Sequence, residues 1–280
     1  MAYHAREQPE YMLGRTHAEH DRLRQQGRLI SNITRHFLEE MGLCSGMSVL
    51  DVGSGVGDVA VLAARMVAPG GRVVGIDLDE SALQMARHRA AREELSNLQF
   101  HACDFQDYTS SGLFDAVVGR CVLLHQPNPA MALTYVAKHA CPGGIVAFQE
   151  PWFSQGFSFP KAALFEEVVG WLHSTVRASG LDGDIGVHLP SIFASAGLSA
   201  PKLTLEMLVD CSPDSEIYQF VADTVRSLLP TLERLGVIAS AHVQVDTLAE
   251  RLREEQAALG SAVGVMPLMG AWCRKPYPVT

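Results

Sequence analysis

The chain lacks an excess of positive charge. Its 22 lysines and arginines are outnumbered by 31 acids in 280 residues, a net charge of −9. No basic run marks a phosphate-binding face, so an electrostatic nucleic-acid binder is not expected. No stretch is long and apolar enough to span a bilayer, and the opening Met-Ala-Tyr-His-Ala-Arg-Glu-Gln has no apolar signal core. A cytoplasmic protein without a membrane partner is the expectation. The six cysteines, Cys44, Cys103, Cys121, Cys141, Cys211 and Cys273, form no CxxC pair, which speaks against a thiolate metal site or a disulfide framework. The histidines offer no pair at ligand spacing, so no metal is expected. Repeats and low-complexity tracts are absent as well. A composition of 48% hydrophobic and 19% charged residues, with 24 glycines and 14 prolines, remains that of an ordinary globular chain rich in loops.

What is present is concentrated at one segment. Val49-Leu-Asp-Val-Gly-Ser-Gly-Val-Gly57 is a short apolar run ending in an acid and followed by glycines at alternate positions. A strand ending there delivers Asp51 to the crevice above a sheet, and the glycines let the backbone turn and approach a ligand closely. The helix-forming run after Gly57, Asp58 to Val67, makes the loop open onto a helix N-terminus. Strand, glycine loop and helix together describe a nucleotide-type site.

The rest of the first half alternates. Strands are expected at 72–77, 98–104, 114–119 and 145–150, with helices at 58–67, 81–94 and 129–139, the last capped by Asn128-Pro129. Short apolar strands alternating with helices imply a mostly parallel sheet covered on both faces. Ahead of it, Thr16-His-Ala-Glu19 has the form of a capping box, and Leu23, Ile30 and Phe37 recur at heptad spacing, predicting one amphipathic helix ending near Gly42. Residues 151–159 read as an aromatic loop. Helices follow at about 161–177, 191–196 and within 213–259, the last broken at Pro230 and Gly236. Strands are expected near 203–209 and 263–272. The organisation is thus a covering helix region (1–44), a ligand-binding core (45–150), a cap insertion (151–190), and the rest of the core with a helical insertion at 213–259 (191–280).

Three acids, Asp51, Asp77 and Asp104, end successive strands, and all three strand ends face one crevice in a doubly wound sheet. Asp77, twenty residues beyond Gly57, suits ribose hydroxyls. Asp104 suits an exocyclic amine. The spacing Gly53-x-Gly55-x-Gly57 departs from the G-x-G-x-x-G of dinucleotide sites, and Asp51 is unwelcome beside a pyrophosphate but suits an ammonium group.

These residues resemble the class I S-adenosylmethionine-dependent methyltransferases over about residues 45–150. The likeness includes Val-Gly-Ile-Asp-Leu-Asp at the end of the second strand, Ala-Cys-Asp-Phe after the third, the Phe-Asp-Ala-Val-Val strand and the Cys-Pro-Gly-Gly-Ile turn. The resemblance implies a Rossmann-like α/β fold, a doubly wound, mostly parallel seven-stranded sheet with helical cap insertions. It implies S-adenosyl-L-methionine as cofactor and methyl transfer to a small-molecule acceptor such as a specialised metabolite, with a homodimer admitted. By the same resemblance Gly53 and Gly55 make room for the methionine portion, Asp51 reaches its amino group, and Asp77 binds the ribose. Leu78 flanks the adenine, Asp104 and Phe105 read its edge, Arg120 and Cys121 contact the cofactor from below, and Tyr11 and Gln26 close the site.

In-line methyl transfer asks for alignment, exclusion of water and sometimes a base. Glu150 at the end of a strand, His125, His173 and His188 are the candidates. Among them Glu150 stands out because its place follows from strand geometry. Tyr11, Trp152, Phe157 and Trp171 are candidates for holding a flat or apolar acceptor. Other readings stay open: a non-methylating rearrangement, a cofactor-binding module without catalysis, and a nicotinamide oxidoreductase, against which the glycine spacing speaks.

Overall fold

Residues 17–238 and 243–277 are described by a computed structural model. Its strands are β1 (Ser48–Val52), β2 (Arg72–Asp77), β3 (Leu98–Ala102), β4 (Phe114–Arg120), β5 (Ala140–Pro151), β6 (Phe157–Phe159), β7 (Lys202–Asp210) and β8 (Ala262–Arg274). They form one sheet in the order β3-β2-β1-β4-β5-β8-β6, with β7 along β8. β1 to β5 pair in parallel, and the contacts of β8 with β5, β6 and β7 are antiparallel. The strand order reverses between β1 and β4, the switch point where the carboxyl ends of parallel strands open a crevice. Val49 and Leu50 in β1 are fully buried, as expected of a central strand covered on both faces.

The helices are α1 (His17–Leu29), α2 (Ser31–Glu40), α3 (Asp58–Val67), α4 (Glu80–Arg92), α5 (Pro129–Ala137), α6 (Ala163–Ala178), α7 (Ile185–Ser195), α8 (Ile217–Arg234) and α9 (Leu248–Leu259). One apolar cluster joins α2, α3 and α4 to one sheet face, and a second joins α5 and α7 to the other. A third core, built from α6, α8, α9 and the first half of β8, forms a cap. No described helix is long and apolar enough to cross a membrane.

Several sequence expectations are corrected. The sheet has eight strands rather than seven, because Phe157–Phe159, expected as loop, pairs with Ala262–Gly264. The single N-terminal helix is two, parted at Ile30, where the Ser31 hydroxyl donates to the Arg28 carbonyl at 2.8 Å and competes with the helical backbone. The capping box begins at Thr16, outside the described residues; its other end, Glu19, accepts two hydrogen bonds from Arg22. Pro230 does not end a helix: α8 runs through it, and its buried face of Tyr218, Val221, Val225 and Leu232 holds it in place despite the lost backbone bond.

Candidate active site

The glycine loop follows β1 directly. Gly53, Gly55 and Gly57 have φ of +64°, +51° and +83°, the left-handed region that glycine enters without a Cβ penalty. A Cβ on Gly53 would come within 2.6 Å of Val122, whereas one on Gly55 would meet nothing within 4 Å. The first glycine therefore serves packing, and the second leaves space on the crevice side. The Asp77 carboxylate, at the end of β2, accepts the Gly55 amide at 2.8 Å and the Asp79 amide at 2.8 Å. Asp79 in turn caps α4 through the Ser81 amide at 2.9 Å and takes His20 of α1 at 3.1 Å. One chain of contacts thus ties the loop, the second strand end and the covering helix together.

Asp51 is buried, with neither carboxylate oxygen in a well-formed hydrogen bond. Burial lifts its pKa to about 7, opposed by the nearby Ser54 hydroxyl and the Arg120 charge. Arg120 is held by Thr34 at 2.8 Å and by Asp58 at 3.5 Å. α1 can lie close to Asp58 only because residue 27 is glycine, since a Cβ there would overlap the Asp58 carboxylate.

β4 ends in a strained turn. Cys121 has φ +55°, an uncommon value for a residue with a side chain, and a single 3₁₀ turn, Leu123–His125, follows. The Glu150 carboxylate, with no exposed surface, accepts the amides of Val122 at 2.9 Å, Leu123 at 2.8 Å and Leu124 at 3.3 Å. Burial raises its pKa to about 7, and the three amides pull the other way. Desolvation, with Glu150 beside it, pushes the Cys121 thiol up to about 12, so that thiol is not a nucleophile at neutral pH. Desolvation lowers His125 to about 4, leaving its imidazole uncharged at neutral pH.

These elements enclose a cavity of about 330 Å³, within the range of small-ligand sites. Gly53, Gly55, Asp77, Leu78, Phe105 and Arg120 lie on its wall, as do Cys121, His125, His173 and Gln26. Asp51 and Glu150 are buried and do not reach that wall. Asp104 also stays off it, its carboxylate accepting the Gln106 amide at 2.9 Å in a local turn. Trp152, Phe157 and Trp171 are absent from the wall too. Trp171 is buried in the cap core, Phe157 sits on β6 at 38% exposure, and Trp152 pairs its amide with Pro267 at 2.9 Å. His188 is exposed and bound to Asp182 at 2.6 Å. Tyr11 lies outside the described residues.

The aromatic residues that do line the cap side are Phe153 and Phe220. The helical period explains the exchange on α6. Val169, Leu172, His173 and Val176 repeat at three- and four-residue steps and face the cavity, which turns Trp171 to the opposite side. Arg22 of the covering helix lines the cavity as well, buried, in a bidentate pair with Glu19 and bonded to Gln26 at 2.8 Å.

A family model describing a methyltransferase domain matches residues 43–180. The chain is 36% identical over 183 residues to the ubiquinone biosynthesis O-methyltransferase of Aromatoleum aromaticum, covering 64% of this chain and 74% of that one. To the enzyme of the same name from Acinetobacter baylyi it is 33% identical over 129 residues, 45% of this chain and 51% of the other, so it spans about half the length of that relative. In architecture it is similar to phosphoethanolamine N-methyltransferase 2 of Haemonchus contortus, solved with S-adenosylhomocysteine, with a TM-score of 0.53 and 19% identity over 88% of this chain and 53% of that one. The chain belongs to the class I S-adenosylmethionine-dependent methyltransferases. S-adenosylmethionine is the cofactor, and the site fits it on its own chemistry. The cavity wall carries an acid held at a glycine loop and an opening that a Cβ on Gly55 would fill. Behind the wall lies the buried Asp51 carboxylate, whose oxygens make no well-formed hydrogen bond, suited to a cationic ligand.

Proposed function

We propose that the protein transfers a methyl group from S-adenosylmethionine to a small-molecule acceptor, a specialised metabolite. When bound, the cofactor supplies an electrophilic methyl carbon on a sulfonium. Asp77 accepts the ribose hydroxyls, and Leu78 and Phe105 flank the adenine. Gly53 and Gly55 admit the methionine portion over Arg120 and Cys121. Asp51 supplies negative potential behind the loop, which favours a cationic ligand over a nicotinamide dinucleotide with its pyrophosphate. α1 closes this half through Arg22 and Gln26, and Tyr11 precedes it in the chain.

The observation that carries the reading is the Asp77 carboxylate on the cavity wall, locked to the Gly55 amide at 2.8 Å. The net charge of −9 and the helical cap favour a small acceptor over nucleic acid. Calorimetry with S-adenosylmethionine, followed by incubation with an acceptor panel read for a one-methyl mass gain, tests it. Absence of cofactor binding refutes the proposal.

A further inference from the structure

The far edge of the sheet is left open. β8 pairs with β5 and β6 on one side and with β7 on the other, and among the described residues no strand pairs with the outer side of β7. The β7–β8 register shifts between Glu206 and Leu208, where β8 takes three steps to two of β7 and Met266 of β8 has φ +49°. The bulge therefore belongs to β8, and β7 stays regular. Its alternate residues Leu203, Leu205, Met207 and Val209 share one face. Thr204 and Glu206 point the other way, toward α2. There a Cβ on Gly270 would meet both Phe37 and Thr204, and His36 Nδ1 stands 3.0 Å from the Glu206 carboxylate.

The odd-numbered face is apolar and uncovered. α7 packs over β5 and Ala271 of β8 but leaves Leu203, Leu205 and Val209 half exposed. The face runs on to β6, because a Cβ on Gly264 would overlap both the Phe157 ring and the Met207 sulfur. Phe159, two residues further along β6, is 76% exposed. At ~200 Å² for a whole large side chain, these residues leave on the order of 500 Å² of apolar surface open, high for a monomer. A long apolar edge strand without proline is a template for another strand. The complement is in β7 itself. Antiparallel pairing centred on Glu206 sets Leu203 opposite Val209 and Leu205 opposite Met207, apolar against apolar. It also sets the exposed Lys202 opposite Asp210, whose carboxylate is fixed by the amides of Cys211 at 2.7 Å and Ser212 at 2.9 Å. Opposite charges thus meet at both ends. Glu206 alone meets its like, and His36 holds that carboxylate back against α2.

We propose that the chain forms a homodimer in which β7 pairs antiparallel with the partner's β7 about a twofold axis at Glu206, joining two sheets into one. Each Lys202 faces the partner's Asp210, and the two apolar faces become continuous. The interface is isologous, so every contact off the axis occurs twice. The open side chains, the strand backbone and the charged ends together approach the ~800 Å² per partner of a standard interface. With a net charge of −9, an anionic membrane is a poorer cover for this face. The pairing also braces the cavity, since Leu208 of β7 stands in register with Val265, and Val265 and Met266 of β8 line the cavity wall. The dimer does not depend on the methyl-transfer reading.

Sedimentation velocity on the full chain over a dilution series tests it. A dimer that dissociates reversibly on dilution is expected. Lys202→Asp and Asp210→Lys each set like charges against one another at both ends and should each raise the dimer dissociation constant by about tenfold or more. An equal mixture of the two variants restores both opposite-charge pairs and should dimerise as the wild type does. Leu205→Lys should weaken the dimer with thermal unfolding of the monomer unchanged. Should Asp210→Lys fail to fold, cross-linking decides. In a Cys44→Ser/Cys211→Ser background, Glu206→Cys lies on the axis and should form a disulfide between subunits under mild oxidation, whereas Leu203→Cys should not. A monomer at every concentration overturns the proposal, whether or not it floats with phosphatidylcholine vesicles. A dimer indifferent to Lys202→Asp and Leu205→Lys overturns β7 as its interface. Cross-linking of Leu203→Cys as readily as Glu206→Cys overturns the register.

Discussion

The Glu150 carboxylate accepts the Leu123 amide at 2.8 Å from a position with no exposed surface. It lies one strand away from the turn it holds, and it takes the amides of Val122 and Leu124 as well. An anion at the start of a 3₁₀ turn satisfies amides that would otherwise be orphaned, and it does so next to the left-handed Cys121. Glu150 thus shapes the cavity floor from behind. A general base needs access to the acceptor, and the carboxylate is turned away to the backbone.

Substitution separates the two roles. Glu150→Ala strands three buried amides and should cost about 2–4 kcal/mol of stability, read as a lower midpoint in denaturant. Glu150→Gln keeps one acceptor oxygen and should retain methyl transfer within about tenfold of wild type. A loss of about 10²–10⁴-fold in a folded Gln variant would restore Glu150 as the base.

Asp77→Ala removes charge-assisted acceptors from the ribose position and releases the Gly55 amide. Cofactor affinity should fall by about 10–100-fold, measured by calorimetry. An affinity equal to wild type contradicts the ribose assignment.

The loop glycines should respond differently. Gly53→Ala drives a Cβ to within 2.6 Å of Val122 and should destabilise the fold by about 1–3 kcal/mol, seen in thermal unfolding. Gly55→Ala meets open space and costs only about 1–2 kcal/mol of left-handed strain. Its larger effect should be on cofactor affinity, because the new methyl occupies ligand space.

Asp51 links cofactor binding to pH. Its pKa, raised from 3.8 to about 7, means the folded, ligand-free protein holds a proton that the unfolded chain has lost. Its contribution to stability therefore declines as pH rises through that window. A cationic ligand favours the ionised carboxylate, so affinity should rise with pH up to about 7, by at most about tenfold per unit, with proton release. Calorimetry in buffers of different ionisation enthalpy measures this, and Asp51→Asn should flatten the slope. An equal slope in that variant assigns the proton elsewhere.

Legibility followed sequence distance. The span of α3, Asp58–Val67, was readable because glycines precede it and Pro69 follows. The Asn128 cap, accepting the Met131 amide at 3.0 Å, was readable because a cap is a three-residue device. Asp77 could be placed from its distance to the glycine loop. Trp171 could not: its residue type fits a pocket as well as a core, and only the packing of α6 on the cap decides. Asp104 follows β3 closely in the chain, yet its carboxylate closes a local turn with the Gln106 amide. β6 was invisible because a three-residue strand exists only through its partner.

The sequence by itself determined the alternating α/β core, the strand–glycine loop–helix unit and the acids at the strand ends, because those signals rest on local backbone chemistry and period. Tertiary structure decided which side chains meet. Glu150 finds the amides of residues 122–124, Asp184 meets His173 at 3.6 Å, and the cap aromatics divide between core and wall. Contacts between distant segments depend on how faces pack and which polar groups must be satisfied when water is excluded, and no stretch of local sequence carries that information.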